Sequence, residues 1–165
     1  MVNIAIILLA VSVVVFGIGP LLLRTNVILV FLTLCASNLI VSLTSRDVSQ
    51  LAASTLPVKN YPILSIVEIF ILVVLPLVLM LAYKNSTKPA GLVIHILPAV
   101  ASAILFFMLA TTMLPYETKL AIEQSNIYGI LKPFFEIVIS AGFVFSAVYL
   151  IVTKPRYAKH GKHDK

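Results

Sequence analysis

The chain has 165 residues, of which 61% are hydrophobic and only 11% are charged, with a formal net charge of +6 and a mean hydropathy of +1.11. Water-soluble domains are usually about 45–50% apolar and about 25% charged. This composition therefore excludes an ordinary soluble domain and indicates an integral membrane protein.

Five stretches of the chain are long and apolar enough to cross a bilayer, which takes a helix of about 20 mostly apolar residues. They lie over residues of about 4–23, 26–44, 62–83, 89–114 and 133–153. We predict an all-α, polytopic transmembrane bundle of about five spans over residues 1–153, followed by a basic tail over residues 154–165. The first stretch has no basic region before it, so we expect it to be a retained span.

Two of the connecting stretches are amphipathic. The segments SRDVSQLAASTLPVKN, before the third span, and PYETKLAIEQSNIYGILK, before the fifth, interleave apolar residues with polar and charged ones. Such spacing is typical of short helices that lie in the membrane interface. Only Arg24 and Thr25 separate the first two spans, so we expect a tight hairpin or one broken helix there.

The basic residues predict the orientation. Cytoplasmic loops carry an excess of lysine and arginine. The tail is basic, through Lys154, Arg156, Lys159, Lys162 and Lys165. We therefore expect the N-terminus outside and the C-terminus in the cytoplasm. A basic cluster beside a spanning segment favours contact with anionic lipid over binding of nucleic acid.

The third span contains one carboxylate, Glu68. An ionisable side chain costs at least about 2.5–3.5 kcal/mol at the bilayer centre, so it is a functional-site hypothesis. Glu68 lies roughly 9 Å along its predicted helix from the outer end, and Asn38 reaches a similar depth on the second span. Pro76 also frees the carbonyl of Leu72, one turn after Glu68. Two interpretations stay open: a proton or cation site, and an interhelical hydrogen bond that holds the bundle together.

Two further polar residues lie within the predicted spans. Glu136 is about one turn from the predicted start of the fifth span, with Lys132 and Pro133 before it. We expect it to cap that helix at the interface, although it is also a third member of the Glu68 layer. His95 lies roughly 8–9 Å from the inner end of the fourth span. We expect it to be neutral and satisfied by its surroundings.

Catalytic chemistry has no support in the sequence. The motifs of hydrolases, metalloproteases and nucleotide-binding loops are absent, and the single cysteine, Cys35, has no His or Cys partners with metal-ligand spacing. We therefore expect no enzyme, no metal and no cofactor. Small residues four apart, such as Gly142 and Ser146, favour close helix contact within a compact bundle or a homo-oligomer.

The layout of the chain over about residues 1–115 resembles the colicin V production family. In that family a glycine-and-arginine break precedes the second span, and Gly17, Gly19 and Arg24 stand at about that place. Also in that family, a polar loop that contains a glycine joins the third and fourth spans. The segment KNSTKPAGLVIHI, with Lys88 and Gly91, stands at that place in this chain. The resemblance implies a bacterial inner-membrane protein linked to toxin production or peptide export, without a reaction of its own.

Two functions follow from these observations as expectations. The first is a non-enzymatic membrane accessory protein that acts by helix packing and by binding itself or another membrane protein. The second is a small proton- or ion-coupled transporter or channel that uses Glu68. Transport requires Glu68 to change its protonation in a hydrated path, whereas helix association requires only a constant hydrogen bond.

Overall fold

The computed structural model describes residues 4–55, 63–84 and 95–152, and within these ranges it contains helices and turns but no strand. The helices are α1 (Ile4–Ser12), a π-helical segment (Val13–Ile18), α2 (Gly19–Leu22), α3 (Val27–Thr55), α4 (Ile63–Ala82), α5 (Ile96–Met113), α6 (Tyr116–Glu123) and α7 (Asn126–Val152). The prediction of an all-α fold is confirmed.

Five helical stretches are long and apolar enough to cross a membrane. They are Ile4–Leu22, Val27–Thr44, Leu64–Ala82, Ile96–Met113 and Asn126–Tyr149. The first comprises α1, the π-helical segment and α2 in direct succession. These stretches correspond in number and order to the predicted spans, and they identify an integral membrane protein.

The second span agrees with its predicted bounds, since the apolar stretch is Val27–Thr44. Helix α3 continues beyond this span to Thr55, into the first predicted interfacial segment, because no glycine or proline interrupts residues 45–55. The second interfacial segment forms α6 and then the first turns of α7, so the fifth span begins at Asn126 and holds Pro133 inside it. Residues 56–62, 89–94 and the tail 154–165 lie outside the described residues.

The first span is irregular where Pro20 enters it. The Gly19 N–H donates to the carbonyl of Val14, five residues back, and Pro20 has no N–H to donate. The wider turn places Phe16 in the bundle, where its ring stacks on Phe106 with centroids 4.2 Å apart. The π-helical segment thus serves a tertiary contact.

The turn between α2 and α3 is tight, as the sequence predicts. The N–H groups of Arg24 and Thr25 donate to the carbonyls of Leu21 at 3.1 Å and Pro20 at 2.9 Å. Arg24 adopts a φ of 51°, in the left-handed region, and thereby reverses the chain. The side chain of Asn26 then accepts a hydrogen bond from the N–H of Ile28 and caps α3.

Helix α5 is the centre of the bundle. In its span 72% of the residues are buried, against 11% in the span of α7 and 17% in that of α4. It packs against the π-helical segment, α3, α4 and α7. Fully buried phenylalanines pack in this core, among them Phe31 of α3 and Phe107 of α5 itself. The outer helices therefore keep large surfaces that face away from the protein.

Close approach of α7 to this core depends on Gly142. A Cβ added there would lie 2.9 Å from Cζ of Phe31 and 3.2 Å from Cβ of Ala101. At the opposite end of α7, a Cβ added to Gly129 would have no neighbour within 4 Å. The two glycines on one helix therefore differ in what surrounds them.

We expect Gly142→Ala to destabilise the bundle by about 1–3 kcal/mol, because the added methyl forces Phe31 or the α7 backbone to move. Gly129→Ala is the matched control, which we expect to be neutral or to stabilise by up to about 1 kcal/mol through helix propensity. Thermal unfolding of the purified variants in one detergent measures both. Equal melting temperatures for the two variants would contradict the packing described for α7.

Candidate functional site

Glu68 lies on α4, five residues after the helix begins at Ile63 and so about 7.5 Å along its axis. Its side chain is partly buried, and it makes no hydrogen bond or ion pair with any described residue. Leu72, whose carbonyl Pro76 leaves without its helical donor, is fully buried one turn further on. Glu68 is therefore a carboxyl in an apolar span that pairs with none of the residues in the described ranges.

Asn38 lies on α3 and is also partly buried. No hydrogen bond joins it to Glu68 within the described part of the chain, so the expected interhelical bond is not formed here. Phe31, seven residues earlier on α3, stands opposite Gly142 of α7. For straight helices this places Asn38 about 10 Å further along the bundle than Gly142.

Glu136 is not a helix cap, and this expectation is wrong. Helix α7 begins at Asn126, ten residues earlier, so Glu136 lies about 15 Å along the helix and beyond its first turn. Lys132 does not form an ion pair with it; instead the Lys132 amino group lies 6.0 Å from the centroid of the Tyr128 ring. The Glu136 side chain is exposed on the outer face of the bundle.

The depth of Glu136 follows from the pairing of α7 with α5. Tyr149 stands against His95, and Gly142 stands against Ala101, so the two helices run antiparallel. Glu136 therefore lies near the level of Phe107, about 9 Å inside the end of α5. The neighbouring Phe135 packs on the cluster that contains Phe107, in agreement with this level. For straight helices, Glu136 and Asn38 thus lie on the same side of the level of Gly142, each about 9–10 Å from it along the bundle.

Ser140 joins Glu136 on the same outer face, one turn further along α7. A shallow depression on this face is lined by Glu136, Ile137, Ser140, Ala141 and Val144. The hydroxyl of Ser140 makes no hydrogen bond with any described residue. Sequence reasoning missed Ser140, although its i,i+4 spacing from Glu136 was a usable signal.

His95 occupies the N-cap position of α5, one residue before the described span Ile96–Met113, and its side chain makes no capping hydrogen bond. It is only 1% exposed, and its ring lies edge-on to Tyr149 with centroids 5.7 Å apart. Nδ1 is buried and has no hydrogen-bond partner among the described residues, which differs from the expected satisfied histidine. The carbonyl of Ile94, its expected neighbour, lies outside the described residues.

Burial lowers the pKa of the His95 imidazole. The folded protein therefore binds a proton there less readily than the unfolded chain, whose histidine titrates near pH 6.5. The sign of the linkage follows: the contribution of neutral His95 to stability is complete above about pH 6.5 and decreases as the pH falls below it.

The remaining expectations about sites concern chemistry and charge. Over the described ranges, no group of three His, Cys, Asp or Glu residues could hold a metal ion. Cys35 is a free, partly buried thiol on α3. The five basic residues of the tail, Lys154, Arg156, Lys159, Lys162 and Lys165, lie outside the described residues.

No family model, no curated protein and no solved structure matches this chain.

We expect His95→Phe to leave the bundle as stable as the native chain or more stable by about 1 kcal/mol, because phenylalanine keeps an aromatic ring against Tyr149 and removes an unpaired nitrogen. His95→Ala should cost about 2 kcal/mol or more through the cavity it leaves. Thermal unfolding at pH 7.5 in one detergent compares the three proteins.

The pH dependence provides a second readout of the same residue. We expect the melting temperature of the native chain to fall between pH 7 and pH 5 by more than that of His95→Phe, which has no imidazole to protonate. Parallel pH profiles for the two proteins would show that His95 does not contribute to acid sensitivity.

Proposed function

We propose that this chain is a non-enzymatic integral membrane protein that works by assembling with membrane proteins through the outer faces of its spans. The observation that carries the proposal is the position of Glu136. It is exposed on α7, at a level about 9 Å inside the apolar bundle, and no described residue pairs with it.

The free-energy cost of placing the Glu136 carboxyl in hydrocarbon supports the proposal that a second protein covers it. A carboxyl facing hydrocarbon lacks the water that would otherwise solvate it, and polar groups within spans normally face the bundle interior or a neighbouring helix. Only 11% of the residues in the span of α7 are buried in this chain. A second protein against α7 would supply hydrogen-bonding groups and would cover the most exposed of the five spans.

Three finer features belong to the same proposal. The resemblance to the colicin V production family would make the partner a component of toxin production or peptide export in a bacterial inner membrane. The positive-inside rule favours a cytoplasmic C-terminus and an N-terminus outside. The basic tail would then meet anionic lipid at the cytoplasmic surface.

Transport is the second candidate, and Glu68 is the observation that favours it. A partly buried carboxyl that pairs with no described residue is the kind of group that proton and cation pathways use. Glu136, in contrast, is exposed.

Photocrosslinking in the native host membrane tests assembly. A photoreactive residue replaces Ile137, which is 65% exposed beside Glu136, and the control carries it at Ile7, which is 51% exposed on α1. We expect protein adducts from position 137 that Glu136→Leu reduces, and few from position 7. Absence of protein adducts from the α7 face would contradict the proposal.

Proton flux into liposomes separates the two candidates. We expect no flux with the native chain or with Glu68→Gln, because an assembly role needs no titration at Glu68. Flux that is present in the native chain and lost in a folded Glu68→Gln variant would make transport the function of this protein. Helicity measured by circular dichroism serves as the folding control.

A further inference from the structure

We infer that the partner of α7 is a second copy of this chain, held by reciprocal hydrogen bonds between Glu136 of each copy and Ser140 of the other. The inference rests on the proposed function and identifies both the partner and the contact. It would place a two-fold axis beside α7, perpendicular to the membrane plane.

The first step is the free hydroxyl of Ser140. Most of the described serine and threonine hydroxyls in the apolar helices donate to a carbonyl one turn back in their own helix. Such bonds run from Ser12 to Leu8 at 2.7 Å, Ser37 to Thr33 at 2.7 Å, Ser102 to Pro98 at 2.7 Å, Thr111 to Phe107 at 2.8 Å and Ser146 to Gly142 at 2.6 Å. Ser140 makes no such bond to a described residue, so its hydroxyl can donate outward.

The second step is that the two groups are complementary. Carboxyl oxygens accept hydrogen bonds, and a hydroxyl donates one. Residues four apart lie on the same side of a helix, one turn above the other. In a parallel pair, Glu136 of one copy lies level with Glu136 of the other and one turn from the other copy's Ser140, a separation that interlocking side chains of adjacent turns can bridge. In a symmetric dimer the same pair of contacts is made twice, once in each direction.

The third step is the shape of the surface. Ala141 is small and lies in the same depression as Ser140, so a neighbouring helix can approach closely. Ile137 and Val144, which are 65% and 60% exposed, flank the polar pair and would exclude lipid from it. Both copies have the same orientation in the membrane, so their α7 helices run parallel, as a two-fold axis along the membrane normal requires.

Other occupants of this face fit less well. A lipid tail has no donor or acceptor to offer at this depth. A partner with a lysine or arginine there would have to place its own cation in hydrocarbon at comparable cost. A second copy needs no additional group, because each chain already carries both partners of the hydrogen bond.

The test uses the purified full chain in liposomes of defined composition, with self-association measured by energy transfer between labelled copies at a range of protein-to-lipid ratios. We expect the native chain to dimerise. Ser140→Ala and Glu136→Leu should each weaken dimerisation about tenfold or more, because each removes both copies of an interhelical hydrogen bond. Glu136→Gln keeps a hydrogen-bonding group and should stay within about threefold of native.

Ser146→Ala is the matched control on the same helix. Ser146 is fully buried and bonds within its own helix, so its loss should leave dimerisation unchanged. Thermal unfolding shows that each variant is folded. A native chain that stays monomeric, or Ser140→Ala and Glu136→Leu variants that dimerise like native, would overturn the inference.

Disulfide crosslinking supplies an independent readout. In a Cys35→Ala background, Ile137→Cys should give dimers on oxidation, whereas Ile7→Cys, which is exposed on α1, should not. If the α7 face does not self-associate but still forms crosslinks to another protein in the host membrane, this inference fails and the proposed function stands. If α7 binds neither, both fail.

Discussion

The bundle depends on close contact between helix backbones at α5. Within a bilayer, lipid tails are as apolar as leucine side chains, so burial of apolar surface gives little reason for one helix to prefer another. Close packing between helices must therefore supply the free energy by which one helix prefers another over lipid. Ala99 and Ala103 of α5 approach Gly17 of the first span, and Ala101 approaches Gly142 of α7. Small residues on both sides of α5 thus allow neighbouring helices to pack closely around it, and its contacts include the π-helical segment, α1, α3, α4, α6 and α7.

The same constraint explains why some polar side chains are buried and hydrogen-bonded while others are exposed on the outside of the bundle. Hydroxyls near α5, such as those of Ser102 and Thr111, are buried and bonded within their helix. On the outer helix α7 the buried Ser146 also bonds within its helix, whereas Glu136 and Ser140 are exposed on the side away from the core. A chain that packs around one central helix leaves the outer faces of α4 and α7 to be covered by lipid or by protein.

Apolar run length was sufficient to predict the class of fold and the number of spans. It could not predict where the helices end, because hydropathy marks the edge of the membrane and not the end of a helix. Residues 45–55 are polar enough to leave the bilayer yet contain no helix breaker, so α3 continues through them. Pro133 suggested a helix start, but α7 accommodates it internally. The prediction that Glu136 lies in the first turn of a helix was wrong because it took Pro133 as the helix start. The π-helical segment could not be predicted, because the sequence has no periodic pattern that distinguishes it from an α-helix.

The length of α3 has a mechanical consequence. Its 29 residues extend over about 43 Å, and its apolar span uses about 27 Å of that. The remaining turns form one rigid piece with the span and project beyond the apolar layer. A bilayer that becomes thinner makes spans tilt, and a tilt of about 10° around the middle of the span would carry the far end of α3 about 5 Å sideways. A change in membrane thickness would then appear as a displacement of the far end of α3 outside the membrane.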